Sequence, residues 1–204
     1  MEKSEREITA VSESVIRRIF DENNVPVFEP LIRFQQEYGG YIFDAGIEHI
    51  RFTLLRGAGG YPESNYTGEV EFEVNYDGSP RYYFVCASTD YQMQFFLDEE
   101  GVYYEDYQAK ASSFDKCVEQ LAIWEEFERK EFELLFRHRQ LDVPRLKGAL
   151  SLELIPEASD EYTQWYRNEF IYAEQWNGFA TLAASKDCPD KDKLKDLCDA
   201  TVGR

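Results

Sequence analysis

The chain has 204 residues, a formal net charge of −18, and 43% hydrophobic residues that include 15 Phe, 14 Tyr and 3 Trp. That is enough apolar surface for a core, so the charge does not imply disorder, and it repels nucleic acid and anionic membranes. No run of about 18 apolar residues is present to span a bilayer, no basic segment followed by an apolar one opens the sequence, and the cytoplasm is the expected compartment.

Residues 5–22 place Ile8, Val11, Val15, Ile16, Ile19 and Phe20 on one stripe at helical spacing, predicting an amphipathic helix that ends near Asn23-Asn24. A second helix starts near Pro30, carries Leu31, Phe34 and Tyr38, and stops at Gly39-Gly40. Ile42 to Leu55 reads as one or two strands, and Gly57 to Pro62 as a loop. Residues 69–76 alternate, with Val70, Phe72, Val74 and Tyr76 on one side and Glu69, Glu71, Glu73 and Asn75 on the other. The turn Asp77-Gly78-Ser79-Pro80 leads into a strand from Arg81 to Ala87. Tyr91 to Leu97 and Val102 to Asp106 form a hairpin across Asp98-Glu99-Glu100-Gly101.

From Ser113 the helical period returns through Phe114, Val118, Leu121, Ile123, Trp124 and Phe127, with Leu134 and Leu135 beyond, and Ser112 or Ser113 available as the cap. Between Leu146 and Ser185 the pattern fits helix or sheet. The last twenty residues are polar and predict a loosely ordered tail. The expected organisation is an α+β domain over 1–140, an extension over 141–185 packed on it, and the tail over 186–204.

The chemistry-bearing residues point away from catalysis. Only two histidines occur, His49 and His138. The first is expected on a strand's polar face and the second, between Arg137 and Arg139, near a helix C-terminus. No CxxC spacing or Gly-x-Ser-x-Gly motif accompanies them, so neither a metal site nor a nucleophilic triad is expected, and no cofactor. Cys86 and Cys117 read as buried hydrophobes. Glu71 and Glu73 lie about 6.8 Å apart along a strand, within the range of a glycosidase pair. A solvated sheet face explains them better in a chain so rich in acids.

The stretch Gly57 to Ala109 holds eleven acidic residues and one basic residue, Arg81, among many tyrosines. Such a segment attracts basic proteins, and exposed tyrosines are enriched where proteins meet.

The order helix, Phe34-Gln35-Gln36-Glu37-Tyr38-Gly39-Gly40, antiparallel strands, Phe96-Leu97-Asp98-Glu99-Glu100-Gly101-Val102-Tyr103-Tyr104, then Ala111-Ser112-Ser113-Phe114 opening a helix resembles the SUKH superfamily. The resemblance covers roughly residues 5–130. It implies a twisted antiparallel sheet with helices packed on one side and no catalytic residues. It further implies an immunity protein that binds a cognate toxin, or alternatively a regulatory adaptor without one. The expected partner is a basic, nuclease-like toxin domain. The candidate docking residues are Glu69, Glu71, Glu73, Asp98, Glu99, Glu100, Tyr103 and Glu105. A carboxylate-dependent hydrolase is the third reading.

Overall fold

The computed structural model describes residues 4–6, 12–44, 49–54, 70–74, 78–89, 94–105, 107–189 and 191–199. Within them the chain is α+β, with 5 helices and 13 strands in two antiparallel sheets. Its internal contacts divide it into two compact units, Met1–Ala109 and Lys110–Arg204. No described helix is long and apolar enough to cross a membrane.

The first unit opens with β1 (Ser4–Arg6), α1 (Glu13–Asn23) and α2 (Glu29–Glu37). The helix expected over 5–22 therefore begins only at Glu13. Arg6 is held in a strand because its Nε and Nη2 donate to the Gly39 carbonyl at 3.2 and 3.0 Å, with its guanidinium 5.1 Å from the Tyr41 ring centroid. Ile16, Ile19 and Phe20 are buried as the stripe requires, whereas Ile8 and Val11 lie outside the described residues. Pro30 sits in the first turn of α2, where its missing N–H has no helical partner to lose.

Gly39 follows α2 for a steric reason: a β-carbon there would lie 2.4 Å from the Gln35 carbonyl oxygen. Gln35 is itself buried, and its Oε1 accepts from the Leu54 amide at 2.5 Å, tying the helix to the chain beyond the next strands.

Those strands are β2 (Tyr41–Asp44), β3 (His49–Phe52), β4 (Val70–Val74), β5 (Pro80–Ser88), β6 (Gln94–Asp98), β7 (Tyr103–Glu105) and β8 (Gln108–Ala111). The order is β1-β2-β3-β5-β6-β7-β8 with β4 paired to β5, and the unit boundary falls inside β8. The helices cover one face of this sheet, since Phe20 and Phe28 pack on Phe84 at 5.4 and 5.9 Å between centroids. The expected Gly57–Pro62 loop lies outside the described residues.

The second unit contains α3 (Phe114–Arg129), β9 (Phe132–Arg139), α4 (Val143–Leu150), β10 (Glu153–Leu154), β11 (Thr163–Arg167), β12 (Ile171–Trp176), β13 (Phe179–Ser185) and α5 (Lys191–Asp199). Its sheet runs β10-β11-β12-β13-β9. Ser113 Oγ accepts from the Lys116 amide at 3.3 Å and so caps α3. The helix stops at Arg129 because Glu131 turns left-handed at φ 54°, and Leu134, Leu135 and His138 belong to β9 rather than to a helix.

Two cores flank the sheet. Ile123 and Phe127 of α3 pack with Trp165, Tyr172 and Ala183 on one face. Leu146 of α4 and Leu194 of α5 pack with Tyr166, Ala173 and Leu182 on the other. Residues 191–199 of the expected loose tail are thus an ordered helix that buries Leu194 and Cys198.

Inside this unit Lys110 and Glu174 form an ion pair in which both side chains are at most 9% exposed, and Lys110 Nζ stands 4.1 Å from the Trp176 ring centroid. Removing one member of such a pair leaves a charge stranded in low dielectric. Lys110→Met is expected to lower the unfolding free energy by about 3–5 kcal/mol, measured by urea denaturation at neutral pH; a loss below about 1 kcal/mol would show that Glu174 finds water or another cation.

Candidate functional site

Residues opposite one another in an antiparallel ladder share a face. The register pairs Glu73 with Arg81, Glu71 with Tyr83, Tyr83 with Asp98, and Phe96 with Tyr104. Of these, Glu73, Arg81, Tyr83, Phe96, Asp98 and Tyr104 sit on the side of the first sheet opposite Phe84 and the helices. Alternation along β4 therefore turns Glu73 onto an aromatic, acid-bearing face beside Arg81.

Asp98 organises that face. Its Oδ1 accepts from the amides of Glu100 and Val102 at 3.0 and 2.9 Å, and its Oδ2 from Arg81 Nη2 at 2.6 Å and the Tyr104 hydroxyl at 2.9 Å. Four donors use all the lone-pair sites of the carboxylate. Arg81 also donates to the Tyr104 hydroxyl, and its guanidinium lies 5.5 Å from the ring centroids of both Tyr83 and Tyr104. Burial alone would lower the Arg81 pKa, but the bond to Asp98 and the charges around it raise it instead. Tyr104 is pushed well above the ordinary phenol value, first by burial and then by the charge of Asp98. Burial also raises Tyr83, with Glu73 among the charges that add to the effect.

The structure separates the eight candidate docking residues. Asp98 was expected to point outward at the hairpin tip; its side chain is 1% exposed and serves the turn. Tyr103 is likewise inside, stacked on Phe95 with an interplanar angle of 11°. Tyr103 turns inward because the short β7 is pinned to β6 and its alternate side chains fill the two faces, whereas Asp98 is held inward by Arg81 and the amides of the turn.

Glu99 is half-buried and accepts from the Tyr82 amide at 2.8 Å, while Glu105 is half-buried at the end of β7. Glu73 and Glu100 are exposed. Glu71 lies in β4, with its side chain outside the described residues, as is the whole of Glu69. The role of Arg81 as an internal clamp was legible only as a lone base among eleven acids. Tyr107, 47% exposed beside the same cluster, carried no distinguishing signal in the sequence.

The second unit has a cleft of 540 Å³ at the ends of its strands, lined among others by Lys130, Arg167, Tyr172, Glu153 and Glu169. Tyr172 donates to Glu126 Oε2 at 2.7 Å, and Lys130 pairs with the same carboxylate. Burial would raise the Glu126 pKa, yet the bonds from Lys130 and Tyr172 outweigh it and lower it. That direction is the reverse of what a general acid needs at neutral pH. Among the described residues no three His, Cys, Asp or Glu side chains are grouped to hold a metal ion.

No family model, curated protein or solved structure matches the chain.

Two outcomes follow from the Asp98 network. Asp98→Ala is expected to cost about 3 kcal/mol, because it strands buried donors, whereas Glu100→Gln shifts stability by less than about 0.5 kcal/mol; thermal and urea unfolding of the pair checks the contrast.

The tyrosine shifts predict alkaline lability. Tyr83, Tyr104, Tyr166 and Tyr172 are all raised. Above about pH 10 the unfolded chain therefore ionises while the folded one keeps its protons, and stability falls as pH climbs. Urea midpoints should be flat below that pH and drop above it, with a shallower drop in Tyr104→Phe; an unchanged slope in the variant would refute this role for Tyr104.

Proposed function

We propose that the chain is an immunity-type protein of the SUKH kind that binds and neutralises a basic, nuclease-like toxin domain in the cytoplasm. What supports this reading most is the disposition of charge in the first unit. Residues 1–109 carry 21 acidic side chains against 8 basic ones. Several of the bases are already taken: Arg17 by Glu13 and Glu29, Arg18 by Glu22, Arg33 by Glu37, and Arg81 by Asp98. The negative excess is therefore left to the surface, where Asp21, Glu73 and Glu100 are exposed.

A nuclease holds phosphates with lysines and arginines. An acidic protein seated on them occludes the substrate path and speeds encounter by electrostatic steering. A regulatory adaptor that binds a cellular protein with no toxin is the alternative; a toxin reading frame beside the gene favours the first and its absence the second.

Co-expression with a toxin domain encoded beside the gene tests the proposal directly. The wild-type chain should restore growth, and its binding to that domain should weaken steeply with salt. Changing Glu69, Glu71 and Glu73 together to Gln should slow association and weaken binding about tenfold or more. Unchanged binding by that triple variant would remove the β4 face as the docking surface. Growth that is not restored would remove the immunity role.

A further inference from the structure

We propose that the cleft of the second unit binds a free α-amino acid with an apolar or aromatic side chain, its carboxylate on Arg167 and Lys130 and its ammonium on Glu153 and Glu169. The site is independent of the docking surface proposed above, because every residue that lines it belongs to the second unit.

The cleft encloses 540 Å³, a volume typical of small-molecule sites, and it brings bases, acids and aromatic surface to one place. Glu153 and Arg167 are direct partners in the ladder between β10 and β11, so two opposite charges share a face. Arg167 is nevertheless drawn to the Tyr172 hydroxyl and to the charges of Glu126 and Glu157. Among the described residues the exposed carboxylates of Glu153 and Glu169 have no hydrogen-bond or ion-pair partner. An acid and a base thus face the same cleft without closing on each other.

The bases are held from behind. Lys130 pairs with Glu126, whose other oxygen accepts from the Tyr172 hydroxyl at 2.7 Å, and Arg167 bonds that same hydroxyl. Each keeps donors to spare. A carboxylate arriving from solution meets a guanidinium and an ammonium already ordered by the fold, which lowers the entropy lost on binding. Ser151 caps α4 at the cleft, and the partial negative charge of that helix end favours the ammonium side of the ligand. Residues opposite in a ladder have β-carbons about 5 Å apart, so the two receptors are as closely set as the two charges of an α-amino acid. A dianion or a dication would bring one like charge against the site. Phe132, backed by the Tyr172 ring at 5.2 Å, supplies an apolar wall for the side chain.

The test titrates the full-length protein with L-phenylalanine and L-leucine, followed by NMR chemical shifts. The tighter of the two should saturate with a dissociation constant below about 1 mM. N-acetyl-L-phenylalanine, which lacks the ammonium, and L-phenylalanine amide, which lacks the carboxylate, should each bind at least about fivefold more weakly than L-phenylalanine. Glu153→Gln with Glu169→Gln, both at exposed positions, should keep the unfolding midpoint and weaken amino-acid binding at least about fivefold. Arg167→Gln should do the same, and the glutamate double variant carries the measurement if Arg167→Gln folds poorly. No saturation by either amino acid below about 1 mM overturns the site. So does a smaller penalty for either capped probe or for the glutamate double variant.

Discussion

A buried carboxylate must be satisfied on every side, and in the first unit that demand falls on Asp98. It draws together the guanidinium of β5, a phenol of β7 and two amides of the turn between β6 and β7. In a low-dielectric interior each of those bonds strengthens the others, and the loss of any one exposes the rest to desolvation cost. The turn is fixed from the other side as well. Gly101 has φ 86°, and a β-carbon there would come within 2.9 Å of Pro30. The hairpin is therefore locked to the helix that begins at Glu29, and its tip has little freedom to move. Glu100 and the neighbouring aromatics inherit that rigidity.

The two sheets differ in how many faces they bury, and this decides how legible they are. Alternation in β4 was readable because a polar residue follows each apolar one. In β12 and β13 it was not, since α3 covers one face and α4 with α5 the other. Strands buried on both sides read as continuous apolar runs, so Ile171 to Ala173 and Ala180 to Ala184 show no period of two. The connection between them did leave a mark. Asn177 and Gly178 both have positive φ, at 49° and 77°, the pattern of a type I′ turn, and Asn-Gly between apolar residues is its usual signature.

Other boundaries depended on single residues. Leu134 and Leu135 continue the spacing of α3, and only the left-handed Glu131 redirects the chain into a strand. Leu194, Leu197 and Cys198 stand at helical spacing in a segment otherwise crowded with charge, which masked α5. For the candidate site, the sequence located the acid-rich, tyrosine-rich segment but could not say which way each acid faces. Asp98 and Glu100 are two residues apart and equally acidic, yet one is the least exposed group of the hairpin and the other is in water. What separates them is the position of Arg81 on the adjacent strand, a long-range fact.

That separation bears on how an acidic protein can fold and still bind by charge. Acids tied into the structure, such as Asp98 and Glu99, are partnered by donors of the same unit and contribute to stability. Exposed acids, such as Glu73 and Glu100, sit in high dielectric and are screened within about 10 Å at ordinary ionic strength. Salt therefore acts mainly on the second group. The clamp at Arg81 and the helix pairs at Arg17, Arg18 and Arg33 commit those bases to Asp98 and to acids of α1 and α2. Pairing within the fold and surplus at the surface are two consequences of one arrangement: cations placed where structure needs them leave the remaining negative charge for a partner.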